Sequence, residues 1–283
     1  MSDIFDFDRP PPLYAVMGNP VEHSRSPEIH QMFARQCSLQ IDYTKIHVEV
    51  GGFPQAVSSF QASGGRGLNV TVPFKMEARR LCDVCSDRAA LAGAVNTLWF
   101  DDAVIHGDNT DGIGICNDIT LNIGQTITGS RLLLLGAGGA VRGVLGQILG
   151  QRPSCVVVAN RTVDKAIELT NHYQAHGEIR GCGFDELEGA SFDIVINGTA
   201  ASLYGDIPDL PAMGLAEETL AYDMMYSDEA TVFMHWALER GMTRVYDGLG
   251  MLVEQAAESF AIWHGVRPET GPVIHSMRKP GAD

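Results

Sequence analysis

Positive charge is scarce in this chain: 20 Lys and Arg stand against 35 Asp and Glu, for a formal net charge of -15. Nucleic-acid binding needs clustered basic residues to neutralise phosphates, so that class of partner is not expected. Long apolar runs are also lacking. The most apolar segment, RLLLLGAGGAVRGVLGQILG, carries six glycines and Arg142 and does not read as a membrane span. The opening MSDIFDFDRPPP has neither the basic start nor the apolar run of a secretory signal. Six cysteines are scattered at 37, 82, 85, 116, 155 and 182, and only Cys82 and Cys85 form a C-x-x-C. Without a second pair or nearby histidines they read as ordinary thiols in a reducing cytoplasm, and no metal site is expected. GDNTDG fails as a calcium loop, because placing Gly112 at the loop glycine puts Gly107 at the first ligand position.

What is present points to an α/β protein. At 283 residues the chain exceeds one core of ordinary size, so two domains are expected. Strands LYAVMG, YTKIHVEV, NVTVPFK and AVNTLWF alternate with helices through the first part, which implies βαβ units and a mainly parallel sheet. GDNTDGIGI marks a junction, and the pattern restarts at RLLLLGAGGA with further strands at CVVVAN, FDIVINGT and LAYDMMY. A long amphipathic helix follows DGLGM. The reading is a substrate domain over 1–110, completed by helices in 250–283, and a Rossmann-like domain over 111–249.

LLLLGAGGAVRG has the physics of a dinucleotide-binding turn. Gly136 permits a tight exit from the strand, Gly138 lets backbone approach a pyrophosphate, and the following helix points free N–H groups at it. Glycine also ends strands for structural reasons, and the third small position is Val141, so the turn alone does not decide the matter. The next strand adds weight. Twenty-four residues after Gly136, where an NAD enzyme places an acid, stand Asn160, Arg161 and Thr162, with Lys165 a turn later. Such groups suit a ribose 2′-phosphate and favour NADP over NAD. The bland alternative is a solvated helix start capped by Thr162.

GNPVEHSRSPEIH reads first as a helix start, with Ser26 as cap and Pro27 at the first helical position. It also sets the hydroxyls of Ser24 and Ser26 where a small carboxylate can sit. Lys75 closes NVTVPFK at the sheet edge where α/β proteins bind ligands. A lysine partly withdrawn from water can act as acid or base, and Asp111 of GDNTDG is a candidate complement. A surface lysine opening the next helix accounts for the spacing equally well.

Taken in order, YAVMGNPVEHSRSP, GGRGLNVTVPFK, LAGAVNTL, GDNTDGIG, LLLLGAGGAVRGV, ANRT, DIVINGT, YDMMY and DGLGMLVEQAAESFAIWHGVRP resemble the shikimate dehydrogenase family over nearly the whole chain. The resemblance implies two domains with a cleft between them and reversible NADPH-dependent reduction of 3-dehydroshikimate to shikimate, in the pathway to aromatic amino acids. It implies Lys75 and Asp111 as the catalytic pair and Ser24 and Ser26 on the substrate carboxylate. Thr71, Asn96 and Gln255, with Tyr226, would meet the ring hydroxyls. It places Gly136, Ala137, Gly138, Gly139 and Ala140 around the pyrophosphate of NADP(H). Asn160, Arg161, Thr162 and Lys165 would surround the 2′-phosphate, with Thr199 also near the cofactor and Met224 and Gly248 near its nicotinamide. Departures from the family pattern are Val141 and Ala200 in place of serines, and Ser227–Asp228 in place of a proline after Tyr226. A quinate/shikimate dehydrogenase using NAD is the nearest rival, and the NRT segment speaks against it. A small-molecule substrate, no membrane, no nucleic acid and a monomer or homodimer complete the expectation.

Overall fold

A computed structural model of the chain describes residues 10–199 and 206–278. Ala200, one of the departures from the family pattern, lies outside the described residues. Two six-stranded sheets organise the molecule. The first contains β1 (Leu13–Gly18), β2 (Asp42–His47), β3 (Gly65–Val70), β4 (Val84–Cys85), β5 (Thr97–Asp101) and β6 (Val104–Asp108) in the order β2-β1-β3-β5-β6-β4. Its β1 pairs in parallel with both β2 and β3, whereas β5 runs antiparallel to β3 and β6. Around it lie α1 (Ser26–Gln36), α2 (Phe53–Ala62), α3 (Lys75–Leu81) and α4 (Asp87–Ala92).

After α5 (Asp111–Asn117) the second sheet begins: β7 (Arg131–Leu135), β8 (Cys155–Ala159), β9 (Ile179–Cys182), β10 (Ile194–Asn197), β11 (Leu220–Asp223) and β12 (Arg244–Tyr246). All its pairings are parallel, in the order β12-β11-β10-β7-β8-β9. This is the doubly wound order, with its switch point between β7 and β10. The helices are α6 (Gly139–Gly150), α7 (Val163–Tyr173) and α8 (Val232–Glu239), before α9 (Leu249–His264) and α10 (Gly271–Met277) return to the first sheet.

The four leucines of β7 show why this strand reads as one apolar run. Leu132 and Leu134 enter one core with Val144, Leu145 and Ile148 of α6; Leu133 and Leu135 enter the other with Phe233 and Trp236 of α8. A strand covered on both faces needs no polar alternation, and each fully buried leucine contributes about 2 kcal/mol. In the first sheet Tyr14 and Val16 face α9, while Ala15 and Met17 face α2 and α3. The junction helix α5 is threaded by glycines. A Cβ on Gly112 would meet Gln147 of α6, and one on Gly114 would meet Gln255 of α9. The motif DGIGI thus lets helices of both units close on α5.

His30 of α1 is fully buried and stacks on Tyr43 with centroids 4.5 Å apart. Burial first, and the nearby His264 second, lower its pKa to about 3. An unfolded histidine takes its proton near 6.5, so between about pH 6.5 and 3 the unfolded chain binds the extra proton. The contribution is therefore complete above pH 6.5 and is lost as pH falls, at about 1.4 kcal/mol per pH unit for one such group. Urea unfolding between pH 4.5 and 6 is expected to show a steeper loss of stability for wild type than for His30→Leu. Parallel slopes would contradict this.

Candidate active site

The strand that carries Asn69 ends at Val70, and Thr71–Phe74 is a turn containing a cis Val72–Pro73 peptide bond. Val70, Thr71 and Val72 do not continue together as one buried strand: Val72 is 59% exposed. The backbone N–H of Thr71 donates to the Met17 carbonyl, and that of Phe74 to Thr71, which turns the chain into α3. Lys75 is the first residue of α3 and Asp111 the first of α5. The two meet with Nζ 2.6 Å from Oδ2, at side-chain exposures of 22% and 7%. Asn96 donates from Nδ2 to Asp111 Oδ1 at 2.8 Å and to Gln255 Oε1 at 3.3 Å. Four residues spread from position 75 to 255 therefore share one polar cluster.

The loop under this cluster is held on all sides. Asp108 receives a bidentate Arg88 at 2.7 and 2.6 Å and the backbone N–H of Asn109 at 2.6 Å. Asn109 Oδ1 accepts from the N–H of Asp111, and Asn96 Oδ1 accepts from that of Thr110. Asp108, Asn109, Thr110 and the buried Asn69 are not among the residues that sequence reasoning singles out. A polar residue inside an apolar strand was the available signal for Asn69.

Ser24 and Ser26 are adjacent, with Oγ to Oγ 3.1 Å. Ser26 is not the cap: α1 starts at Ser26 behind Arg25, and Ser24 Oγ accepts from the Ser26 N–H at 3.3 Å. Tyr226 lies by this loop against Arg25. Burial pushes its hydroxyl pKa up, and the Arg25 charge and backbone pull the other way. Thr71 is half-buried beside Gly18, whose Cβ, if present, would strike the Thr71 methyl.

At the switch point the cofactor candidates converge on the C-terminal ends of β7, β10 and β11. Gly136 takes φ of +101°, and a Cβ there would meet the Gly198 carbonyl oxygen at 3.1 Å. Val141 is buried in the core and would collide with a side chain on Gly198, so it packs the helix against the sheet. Thr199 Oγ1 donates to Asn197 Oδ1 at 2.8 Å. A Cβ on Gly248 would run into the Met224 carbonyl, which brings those two residues together.

Gly138 and Gly139 differ from these. Neither has a positive φ, and an added Cβ would meet nothing within 4 Å. The fold does not require glycine there, whereas a backbone-bound pyrophosphate at the start of α6 does; Ala137 and Ala140 flank them. Asn160 is fixed by Nδ2 donating to the Thr162 carbonyl at 2.8 Å. Thr162 precedes α7 but its side chain makes no capping bond, and Arg161 and Lys165 are exposed with no ion-pair partner among the described residues. Two free cations and a free hydroxyl beyond the second strand fit a nucleotide 2′-phosphate.

These glycines predict opposite substitution effects. Gly248→Ala is expected to cost about 1–3 kcal/mol of stability by overpacking backbone. Gly139→Ala, at the first helical position, should leave stability within about 0.5 kcal/mol and weaken NADP binding instead. Urea midpoints and cofactor titration check both; a destabilised Gly139→Ala with intact binding would contradict the reading.

A doubly wound dinucleotide unit and a second α/β unit with a half-buried lysine–aspartate pair fit the class of two-domain oxidoreductases. Comparison with known proteins narrows it. The family model described as shikimate dehydrogenase substrate binding domain matches residues 16–98, that of shikimate / quinate 5-dehydrogenase matches 118–205, and the shikimate 5′-dehydrogenase C-terminal domain matches 248–278. A protein of Alkalilimnicola ehrlichii named shikimate dehydrogenase (NADP(+)) is 54% identical over 265 residues, covering 94% of this chain and 98% of that protein. An Ael1 enzyme from Pseudomonas putida superposes with a TM-score of 0.87 at 45% identity, over 95% of this chain and 99% of that one. Shikimate 5-dehydrogenase from Thermus thermophilus, solved in complex with NADP(H) and shikimate, gives 0.83 at 29% identity, over 94% and 98%. The chain belongs to the shikimate dehydrogenase family. No helix among the described residues is long and apolar enough to cross a membrane.

Proposed function

We propose that this protein catalyses the reversible, NADPH-dependent reduction of 3-dehydroshikimate to shikimate, within aromatic amino-acid biosynthesis. The observation that carries the reading is the Lys75–Asp111 pair, 2.6 Å apart, in a chain whose relative of 54% identity bears that activity in its name. NADPH, when bound, supplies the hydride. As negative charge grows on the carbonyl oxygen, the Lys75 ammonium stabilises it and gives it a proton; in the reverse direction the lysine takes that proton back. Asp111 orients the ammonium and accepts a hydrogen bond from a ring hydroxyl. Thr71, Asn96 and Gln255, with Tyr226, engage the remaining hydroxyls, and Ser24 with Ser26 holds the carboxylate. Those two hydroxyls accept an anion without a full countercharge, which suits a chain of net charge -15.

Gly136 through Ala140 cradle the pyrophosphate, and Asn160, Arg161, Thr162 and Lys165 hold the adenosine ribose phosphate. Thr199, Met224 and Gly248 border the nicotinamide end. In this reading 1–110 with 250–283 forms the substrate unit and 111–249 the cofactor unit. A monomer or a homodimer completes the reading, and the six unpaired cysteines suit the cytoplasm.

The test is cofactor reduction by the purified protein with shikimate and with quinate, each with NADP and with NAD. Activity largely confined to shikimate with NADP is expected. Comparable rates with quinate or NAD would move the protein to the broader quinate/shikimate dehydrogenases, and no activity would overturn the reading.

A further inference from the structure

Ser259 stands one helical turn after Gln255 on α9 and is fully buried. A serine within a helix commonly bonds only a carbonyl one turn back, and Ser259 reaches the Gln255 carbonyl at 3.1 Å. It has three further partners, all side chains from other elements. Asn69 Nδ2 donates to its Oγ at 3.0 Å, Thr97 Oγ1 lies at 2.7 Å, and Thr110 Oγ1 at 3.3 Å.

Two amides of this cluster are fixed in orientation. The Tyr43 hydroxyl donates to Asn69 Oδ1 at 2.7 Å, which turns the Asn69 amide so that its Nδ2 faces Ser259. The Thr110 N–H donates to Asn96 Oδ1, which turns that amide so that its Nδ2 faces Asp111. Thr97 has one hydroxyl proton and gives it to Asn96 Oδ1 at 2.9 Å. The one hydroxyl proton of Ser259 is shared between the Gln255 carbonyl and the Thr97 contact, so these bonds form a branched network rather than a single line of donors. Ser259 thus joins the Tyr43–Asn69 pair to Thr97 and Thr110, both of which bond Asn96 Oδ1, and Asn96 in turn holds Asp111. Hydrogen bonds connected inside a protein support one another, so loosening one loosens its neighbours.

We propose that Ser259 is a positioning residue for the reaction assigned above: its hydroxyl relays the fixed orientation of the Tyr43–Asn69 pair through Thr97 to Asn96, the amide that holds Asp111 and Gln255 toward the substrate. Ser259 does not touch the substrate itself. The inference rests on the proposed function, because it assigns Asn96, Asp111 and Gln255 to the ring hydroxyls.

Steady-state kinetics of Ser259→Ala, Thr97→Val, Thr97→Ser and the Ser259→Ala/Thr97→Val double variant test it, with unfolding midpoints recorded alongside. Removing one link is expected to raise KM for shikimate roughly 3–10-fold, the worth of a weakened hydrogen bond, with KM for NADP within about twofold. Thr97→Ser, which keeps the hydroxyl, should restore the shikimate KM, and the double variant should fall well short of the product of the singles, since the two residues share one contact. Both shikimate KM values unchanged, or a double variant at the product of the singles, overturns the relay. Should Ser259→Ala not fold, the contrast between Thr97→Val and Thr97→Ser decides the matter: equal KM values overturn it. Wild-type protein that fails to oxidise shikimate overturns the proposed function and the relay together; active wild type with unaltered variants overturns the relay alone.

Discussion

Lys75→Ala is expected to lower turnover of shikimate by about 10²–10⁴-fold, the usual worth of a positioned general acid–base group. The reason is geometric. Lys75 is the only cation within hydrogen-bond reach of Asp111 among the described residues, at 2.6 Å, and it starts a helix whose backbone is pinned by the turn from Thr71 to Phe74. NADPH affinity should stay within about twofold, because the cofactor candidates lie on the other sheet. Removing the ammonium also leaves Asp111, 7% exposed, with its Asn96 bond but no counterion, so some stability is lost as well. Turnover must therefore be expressed per folded molecule, with the unfolding midpoint measured in the same buffer. Near-normal turnover would remove Lys75 from the chemistry. A proportional loss of folded protein and activity would reduce it to a structural ion pair.

Arg161→Ala should separate the two nicotinamide cofactors. A charge-assisted hydrogen bond to a phosphate is worth roughly 1.5–3 kcal/mol, or about 10–150-fold in affinity. Arg161 has no carboxylate partner among the described residues and stands exposed at the end of β8, so its removal should leave the fold intact. NADP binding is expected to weaken by about that factor, while NAD binding changes by less than about threefold. Lys165→Ala should act in the same direction and less strongly, since an ammonium lacks the bidentate fork. Fluorescence titration of both cofactors checks this. Equal losses for NADP and NAD would show that Arg161 does not read the 2′-phosphate.

The second half of the fold was the more legible. Its central strands β7, β8, β10 and β11 are buried on both faces, so RLLLL, CVVVA and DIVIN announce themselves as apolar runs, and the glycine turn after β7 falls where the sequence puts it. The short edge strands β9 and β12, mostly half-buried or exposed, carry no such run. The first half hid its antiparallel part. β6, Val104–Asp108, is short and carries His106 and Asp108, and it follows a hairpin turn in which Asp102 takes φ of +51°. Aspartate tolerates that conformation without a glycine to signal it. The stretch NVTVPFK was misleading because its alternation looks strand-like beyond Val70, while the chain has already turned to aim Lys75.

Individual site residues were nameable from residue type and from the family resemblance; their convergence was not. Nothing in the spacing of Asn96, Asp111 and Gln255 shows that one amide touches both other side chains. The buried polar layer of Asn69, Thr97, Thr110 and Ser259 was invisible for a related reason. Each of these residues, alone in its strand or helix, looks like an ordinary polar interruption, and only packing of β3, β5 and α9 satisfies them together.

The most direct test of the central assignment is a crystal structure of the complex with shikimate and NADP. The expected result is the reacting ring hydroxyl about 2.6–3.2 Å from both Lys75 Nζ and an Asp111 oxygen, with the substrate carboxylate on Ser24 and Ser26. A ring bound the other way round, with its carboxylate on Lys75, would contradict it.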